Sequence, residues 1–337
     1  MKAIGYQIPQ AIDQASSLVD IDLPRPTPTG RDILVEVRAV SVNPVDTKVR
    51  RSAAPETGQW KVLGWDAAGI VAEVGPDATL YRPGDAVFYA GAIDRSGTNA
   101  QFHLVDERIV GRKPQSLDFA AAAALPLTSI TAWEMLFDRL RVTDPVPGAA
   151  NAILVIGGAG GVGSIAIQIA RALTDLTVIA TASRPETRDW VTSLGAHHVI
   201  DHREPLAPQV AALGIGQPAL VFSTTNTDDH YADIVELIAP QGRFGLIDDP
   251  KDLSALPLKR KSISLHWEFM FTRSLFATAD IAMQHDLLNR ISGLIDEGRI
   301  RTTLNDNFGP INADNLKRAH ALLESGRAKG KIVLAGF

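Results

Sequence analysis

The run Leu154-Val155-Ile156-Gly157-Gly158-Ala159-Gly160-Gly161-Val162-Gly163 restricts the fold of this chain more than any other stretch. Ahead of the glycines stands a short apolar run rich in β-branched residues, Ala152–Ile156. Behind them Ile165, Ala166, Ile169, Ala170 and Leu173 recur at helical spacing. The order is strand, glycine turn, helix. Gly158, Gly160 and Gly163 fit G-x-G-x-x-G: the first permits a sharp turn, the second lets a pyrophosphate reach the backbone, and the third lets helix and strand pack closely. The first helical turn, with Gly161 and Val162, then presents N–H groups to a phosphate. A tight βα turn with no ligand can carry the same glycines. The strand and helix on either side favour a dinucleotide site.

This fingerprint begins after residue 150, so a segment of domain size precedes it. At 337 residues the chain is long enough for two domains. A net charge of −5 argues against a nucleic-acid or anionic-membrane partner, and the one compact basic run, Lys259-Arg260-Lys261, reads as a solvated turn before a strand. With no cysteine there is no disulfide framework, zinc thiolate site or cysteine nucleophile. The N-terminus lacks a signal-peptide pattern, and no apolar run reaches the ~18 residues of a membrane span. A cytoplasmic location is expected.

Residues 1–120 read as mostly β. Strands are expected over Met1–Tyr6, Ile33–Val40, Gly69–Val74, Ala86–Ala90 and Ala100–Val105, punctuated by glycine and proline turns, which suggests a small barrel-like domain. A helix-forming run, Ala120–Ala124, stops at Pro126. Thr128 and Ser129 then offer a cap for a helix carrying Ile130, Trp133, Leu136, Phe137 and Leu140. From 150 to 270 strands alternate with helices, at Ala152–Ile156, Thr177–Ala182, His198–Ile200, Leu220–Ser223, Gly242–Ile247 and Ser262–Phe269. That alternation implies a doubly wound parallel sheet whose ligand lies beyond the carboxyl ends of the strands, near Ser183, Arg184, Asp201, His202, Thr224 and Thr225. Two amphipathic helices follow, one running from Ile281 to a stop at Gly298 and one over Asn315–Leu323. Lys331–Leu334 is a final strand.

Together, Ser41-Val42-Asn43-Pro44-Val45-Asp46, Leu63-Gly64-Trp65-Asp66-Ala67-Ala68-Gly69, Arg82-Pro83-Gly84-Asp85, Ala124-Leu125-Pro126-Leu127-Thr128 and the glycine turn resemble the medium-chain dehydrogenase/reductases over the full length. Within that superfamily the chain is most similar to the quinone oxidoreductase branch, in a subgroup labelled zinc-type alcohol dehydrogenase-like. The resemblance implies an α/β fold in which a GroES-like β-rich catalytic domain is interrupted by a Rossmann domain. Residues 1–125 would form the first part of the catalytic domain, 126–270 the NADP-binding domain and 271–337 the return to the catalytic domain.

In the zinc enzymes of this superfamily a cysteine lies in the segment that here reads Val42–Asp46, and Gly-His-Glu stands where this chain has Gly64-Trp65-Asp66. Asp46 and Asp66 alone do not supply the three or so protein ligands that a catalytic zinc requires, so no metal is expected. For the nicotinamide cofactor, NAD sites place an acid about 20 residues past the glycines. This chain has Ala182-Ser183-Arg184-Pro185 there, a hydroxyl and a guanidinium that suit a 2′-phosphate. The resemblance adds His202 near the same phosphate, Thr128 near the nicotinamide and Arg327 as a further cofactor contact.

At the reacting end the candidates are Asn43, Asp46 and Lys48, with turn formation the competing role for the first two. The resemblance puts Lys48 by the nicotinamide ribose and substrate. The tyrosine that some quinone reductases carry just after this motif is missing. The expected activity is NADPH-dependent, zinc-independent hydride transfer to quinones or α,β-unsaturated carbonyls, by a homodimer acting on small molecules. A zinc-dependent alcohol dehydrogenase and a non-catalytic NADPH-binding protein are the alternatives.

Overall fold

The computed structural model describes all 337 residues, in two compact units: Met1–Ile130 with Phe271–Phe337, and Thr131–Met270. The second unit is a six-stranded parallel sheet in the order His198–Ile200, Thr177–Thr181, Ala150–Ile156, Pro218–Ser223, Arg243–Leu246, Ser264–Trp267. Counted along the chain this is the Rossmann order, and the strand order reverses beside Ala150–Ile156. Ile153 to Ile156 are buried on both faces, so this strand reads as a continuous apolar run rather than an alternating one. Leu154, Ile179, Val221, Phe244 and Leu246 form the core with Ile234, Leu237 and Ile238. Each such side chain contributes roughly 1.5–3 kcal/mol through burial.

Two expectations about this unit are corrected. The last strand is Ser264–Trp267, shorter than Ser262–Phe269, because Ser262 takes a left-handed conformation (φ +52°) and Glu268 turns into the interior. The basic run Lys259-Arg260-Lys261 closes a 3-10 helix, Leu256–Lys261, rather than a turn. Lys261 Nζ donates there to the carbonyls of Glu236 (2.6 Å) and Ile238 (2.7 Å).

The first unit holds a seven-stranded sheet. Along its path stand Leu304–Asn307, Lys331–Ala335, Asp32–Ser41, Ala67–Val74, Ala86–Tyr89 and Val110–Arg112, with Phe102–Asp106 also paired to Asp32–Ser41. A three-stranded sheet of Val19–Asp22, Lys2–Tyr6 and Lys61–Val62 stands apart from it. Val333 pairs with Ser41 and Leu334 with Val40, which brings the end of the chain against the segment that begins at Val42.

Residues 44–52, given no element from the sequence beyond a competing turn role at Asn43 and Asp46, form an α-helix, Pro44–Ser52. Proline suits the first helical position, Asp46 meets the positive end of the helix dipole, and Arg50 and Arg51 meet the negative end. The Pro126–Trp133 helix begins at Pro126, so Thr128 and Ser129 lie inside it and do not cap it. Thr128 Oγ1 instead donates to the Leu125 carbonyl at 3.1 Å. The helix runs on into a π-helical turn, Glu134–Arg139. By length and mean hydropathy, Phe119–Arg139 is apolar enough to cross a membrane, but 78% of its most apolar window is buried inside the protein.

Candidate active site

The glycine turn has the geometry that a pyrophosphate needs. Gly157 has φ +78°, and a Cβ there would stand 2.4 Å from Thr224 Oγ1; a Cβ on Gly163 would stand 2.4 Å from the Gly157 carbonyl. Both positions are closed to side chains by protein atoms. A Cβ on Gly160, in contrast, would meet only the Gly157 carbonyl, at 3.4 Å. The open side of Gly160 is therefore room for a ligand, directly at the N-terminus of the Gly161–Leu173 helix, where Gly161, Val162 and Gly163 open the first turn. The residues present fit a dinucleotide.

The loops beyond the neighbouring strands supply the rest. Thr181 Oγ1 accepts from Gly157 N–H at 2.9 Å and lies 3.3 Å from His202 Nδ1. Arg184, about one-third exposed, precedes the Pro185–Ser193 helix and pairs with Glu186 at 3.1 Å. Arg203 was not singled out from sequence, yet it belongs here. It donates to the Ser183 carbonyl (3.1 Å) and pairs with Asp201 (2.6 Å), whose carboxyl its hydrogen bonds pull down to about 2. The His202 pKa is lowered, chiefly by burial, with Arg203 and Arg184 among the nearby charges acting in the same direction. Ser183, Arg184, His202 and Arg203 thus come together, and each of the two acids beside them is paired with an arginine, Asp201 with Arg203 and Glu186 with Arg184. Thr224 donates to the Ile156 carbonyl (2.8 Å) and Thr225 to Asn226 (2.7 Å), so both hydroxyls shape the turn. Arg327 lies on an exposed turn of the other unit, before its last strand.

The reacting-end candidates separate. Lys48 is exposed on the Pro44–Ser52 helix. Asn43 and Asp46 are buried. Asn43 N–H donates to Asp46 Oδ2 at 2.7 Å, and Asn43 Nδ2 donates to Asp66 Oδ2 at 2.8 Å. Asp66 Oδ1 accepts from Leu127 N–H at 2.8 Å. Into this group reaches Lys331, itself buried. Its Nζ donates to the Val42 carbonyl (2.9 Å), to Asp66 Oδ2 (2.8 Å) and to Asn43 Oδ1. Burial raises the Asp66 pKa against the pull of Lys331, and pushes Asp46 up to about 7 against the Asn43 N–H and Lys331. The sequence marked Lys331 only as the first residue of an apolar strand; its one signal is a lysine opening a strand that turns out to be buried along most of its length.

Trp65 is part of the core, with its indole N–H donating to the Ala92 carbonyl (3.1 Å) and its ring edge-on to Phe271. No group of three histidine, cysteine or acidic side chains comes together anywhere in the chain.

Residues 29–115 match the alcohol dehydrogenase GroES-like domain family and residues 194–334 the zinc-binding dehydrogenase family. A zinc-type alcohol dehydrogenase-like protein of Staphylococcus aureus is 42% identical over 99% of both chains. The chain is a medium-chain dehydrogenase/reductase. A crystal structure from Rhizobium etli CFN 42, of a protein provisionally named a zinc-dependent alcohol dehydrogenase, is 69% identical, covers 100% of this chain and 98% of its own, and superposes with a TM-score of 0.99. The 2-methylene-furan-3-one reductase of Solanum lycopersicum is 28% identical over 90% of this chain and 71% of its own. As a medium-chain dehydrogenase/reductase the protein is an oxidoreductase, and its glycine turn suits a nicotinamide dinucleotide. The zinc in the family names does not fit its residues: the cysteine is gone, Trp65 replaces the histidine, and the oxygens of Asn43 and Asp66 hold an ammonium.

Proposed function

We propose that this protein is a cytoplasmic, NADPH-dependent, metal-free reductase that delivers hydride to a quinone or to the β-carbon of an α,β-unsaturated carbonyl. The observation that carries the reading is the basic cluster beyond the second and third Rossmann strands. Ser183 and Arg184 stand where an NAD site would place an acid, and Arg203 neutralises Asp201 nearby. Arg184 and Ser183 hold the 2′-phosphate, with His202 beside them. Gly160 admits the pyrophosphate, and the first-turn N–H groups of Gly161, Val162 and Gly163 bind it. When bound, the nicotinamide supplies the hydride.

On the substrate side, conjugation lets the carbonyl oxygen accept negative charge, so no Lewis acid is required. Lys48 stabilises that charge with its ammonium, and solvent or a protein group returns the proton. The name of the tomato relative, a reductase of a conjugated ketone, agrees with this chemistry. The test is turnover of NADPH against NADH with a panel of quinones, enones and simple alcohols. Preference for NADPH with a conjugated acceptor is expected. Oxidation of simple alcohols with NAD, and no enone reduction, would overturn the reading.

A further inference from the structure

We propose that Lys331 is the positioning cation of the GroES-like unit: its ammonium stands where the two segments assigned to a metal in the resembling zinc enzymes meet, and it fixes the starts of the helices that bear Lys48 and Thr128. Two chain segments converge on it: Val42 and Asn43, between the Asp32–Ser41 strand and the Pro44–Ser52 helix, offer a backbone carbonyl and a carboxamide oxygen, and Asp66, just before the Ala67–Val74 strand, offers its carboxylate. A lysine ammonium has three protons, and here each has an acceptor, so the cation is saturated by the protein itself.

The placement follows from the backbone. Val42 N–H donates to the Ile332 carbonyl at 3.1 Å, and the Val333–Ser41 register fixes the last strand beside Asn43. From that point Lys331 acts in two directions. It holds Asp66 Oδ2, leaving Oδ1 to accept the N–H of Leu127 in the first turn of the Pro126–Trp133 helix. The carboxylate also meets the positive end of that helix dipole. In the other direction it holds the Asn43 carboxamide, while the Asn43 backbone N–H bonds Asp46 in the first turn of the Pro44–Ser52 helix. A buried network centred on an ammonium whose three protons all have acceptors makes its surroundings rigid. A divalent ion cannot share the space, because an ammonium and a zinc ion a few ångströms apart repel strongly in a buried site.

The effect on turnover rests on the reading of Lys48 and Thr128 given above; the effect on the two helices does not. Hydrogen exchange measured on the intact protein and on Lys331→Met keeps them distinct. In the variant, peptides covering 43–52 and 125–133 should exchange at least ten times faster. Peptides of the glycine turn, 154–173, should be unchanged, and the NADPH dissociation constant should stay within twofold. With the conjugated acceptor kcat should fall at least tenfold. Because Lys331→Met leaves Asp66 buried without its partner, its melting temperature should drop by roughly 10 °C.

The uncharged pair Asp66→Asn with Lys331→Met should recover most of that drop but not kcat. Should Lys331→Met fail to fold, Lys331→Arg replaces it, with the same exchange pattern expected at smaller amplitude. Exchange at wild-type rates in both segments would overturn the proposal. So would full recovery of kcat in the double variant, or stoichiometric zinc whose removal by a chelator lowers the melting temperature. Wild-type protein inactive on every acceptor, with the exchange pattern as expected, would overturn the substrate reading and leave the role of Lys331 standing.

Discussion

At Arg184 the sequence offers a cation where no acid closes the second Rossmann strand, and the proposal of NADP rests on that, because a 2′-hydroxyl and a 2′-phosphate demand opposite charges; that the guanidinium pairs with Glu186 was not legible. Nor was Arg203, since only the fold turns a residue past the third strand back toward Ser183. Replacing Arg184 by glutamate removes one charged hydrogen bond and adds repulsion. NADPH affinity should fall by roughly 10- to 100-fold, or more, with NADH binding little changed, as read by fluorescence titration. Equal weakening of both cofactors would remove the assignment. Lys48 poses the converse problem. Asn43 and Asp46 were legible as polar residues near the site, but nothing in their spacing revealed that both are buried and engaged with Lys331, Asp66 and each other. Of the three, Lys48 is the exposed one. Lys48→Ala should fold normally, bind NADPH measurably, and transfer hydride about 10²–10³ times more slowly in single turnover. A mere surface lysine would change stability by under ~0.5 kcal/mol and leave the transfer rate alone.

Elements were legible where the apolar period was strong and hidden where it was not. The strands from 150 to 246 and the two C-terminal helices lie near their expected places. The Pro44–Ser52 helix was missed because it is polar on most of its surface, and its signal is in proline and charge placement rather than period. Buried titratable groups that tie elements together were equally hidden, and they set the pH range of stability. His103 lies between Tyr89 Oη (3.1 Å) and the Ser96 carbonyl (2.8 Å), and burial lowers its pKa to about 4; His320, also buried, is lowered to about 3. An unfolded histidine titrates near 6.5, so as pH falls the unfolded chain takes up these protons first. Their contribution is complete above about pH 6.5 and is lost as pH falls toward 4 and 3.

Glu268 has the opposite sign. Burial and the neighbouring Glu134 raise its pKa, although Arg139 pairs with it at 2.8 Å. Its contribution is present below the unfolded carboxyl pKa and is lost as pH rises into the alkaline range. Melting temperature against pH should therefore fall on both sides in the wild type. His103→Asn should remove slope between about pH 4 and 6.5, and Glu268→Gln slope from the unfolded carboxyl pKa up into the alkaline range. A slope unaltered by either change would show that other groups control it.

At the scale of the whole molecule, the nucleotide fingerprint in mid-chain implied at least two parts and the family resemblance implied that one interrupts the other; the chain returns to the first unit at Phe271. What covers the open edge of the Rossmann sheet was not legible, because an apolar strand reads alike whether its partner is in the same chain or another. One answer was that the two C-terminal helices shield the strand. Within their own unit, Met283–Asp296 lies against Val110–Arg112, and Ala313–Glu324 against Pro44–Ser52. Trp267 remains 52% exposed and Phe269 48% exposed at the sheet edge, next to half-buried Leu265. A strand edge with large apolar side chains and unpaired backbone groups is a template for pairing, and two-fold pairing closes it without leaving a growing edge. We therefore propose a homodimer joined through Ser264–Trp267. Light scattering should give about twice the 36.1 kDa chain mass at micromolar concentration. Trp267→Glu places a charge in the joined edge and should shift the mass toward one chain, with the melting temperature of the separated chain lower than that of the pair. A dimer indifferent to Trp267→Glu would place the contact on another surface, and a wild-type monomer would mean that this edge tolerates exposure.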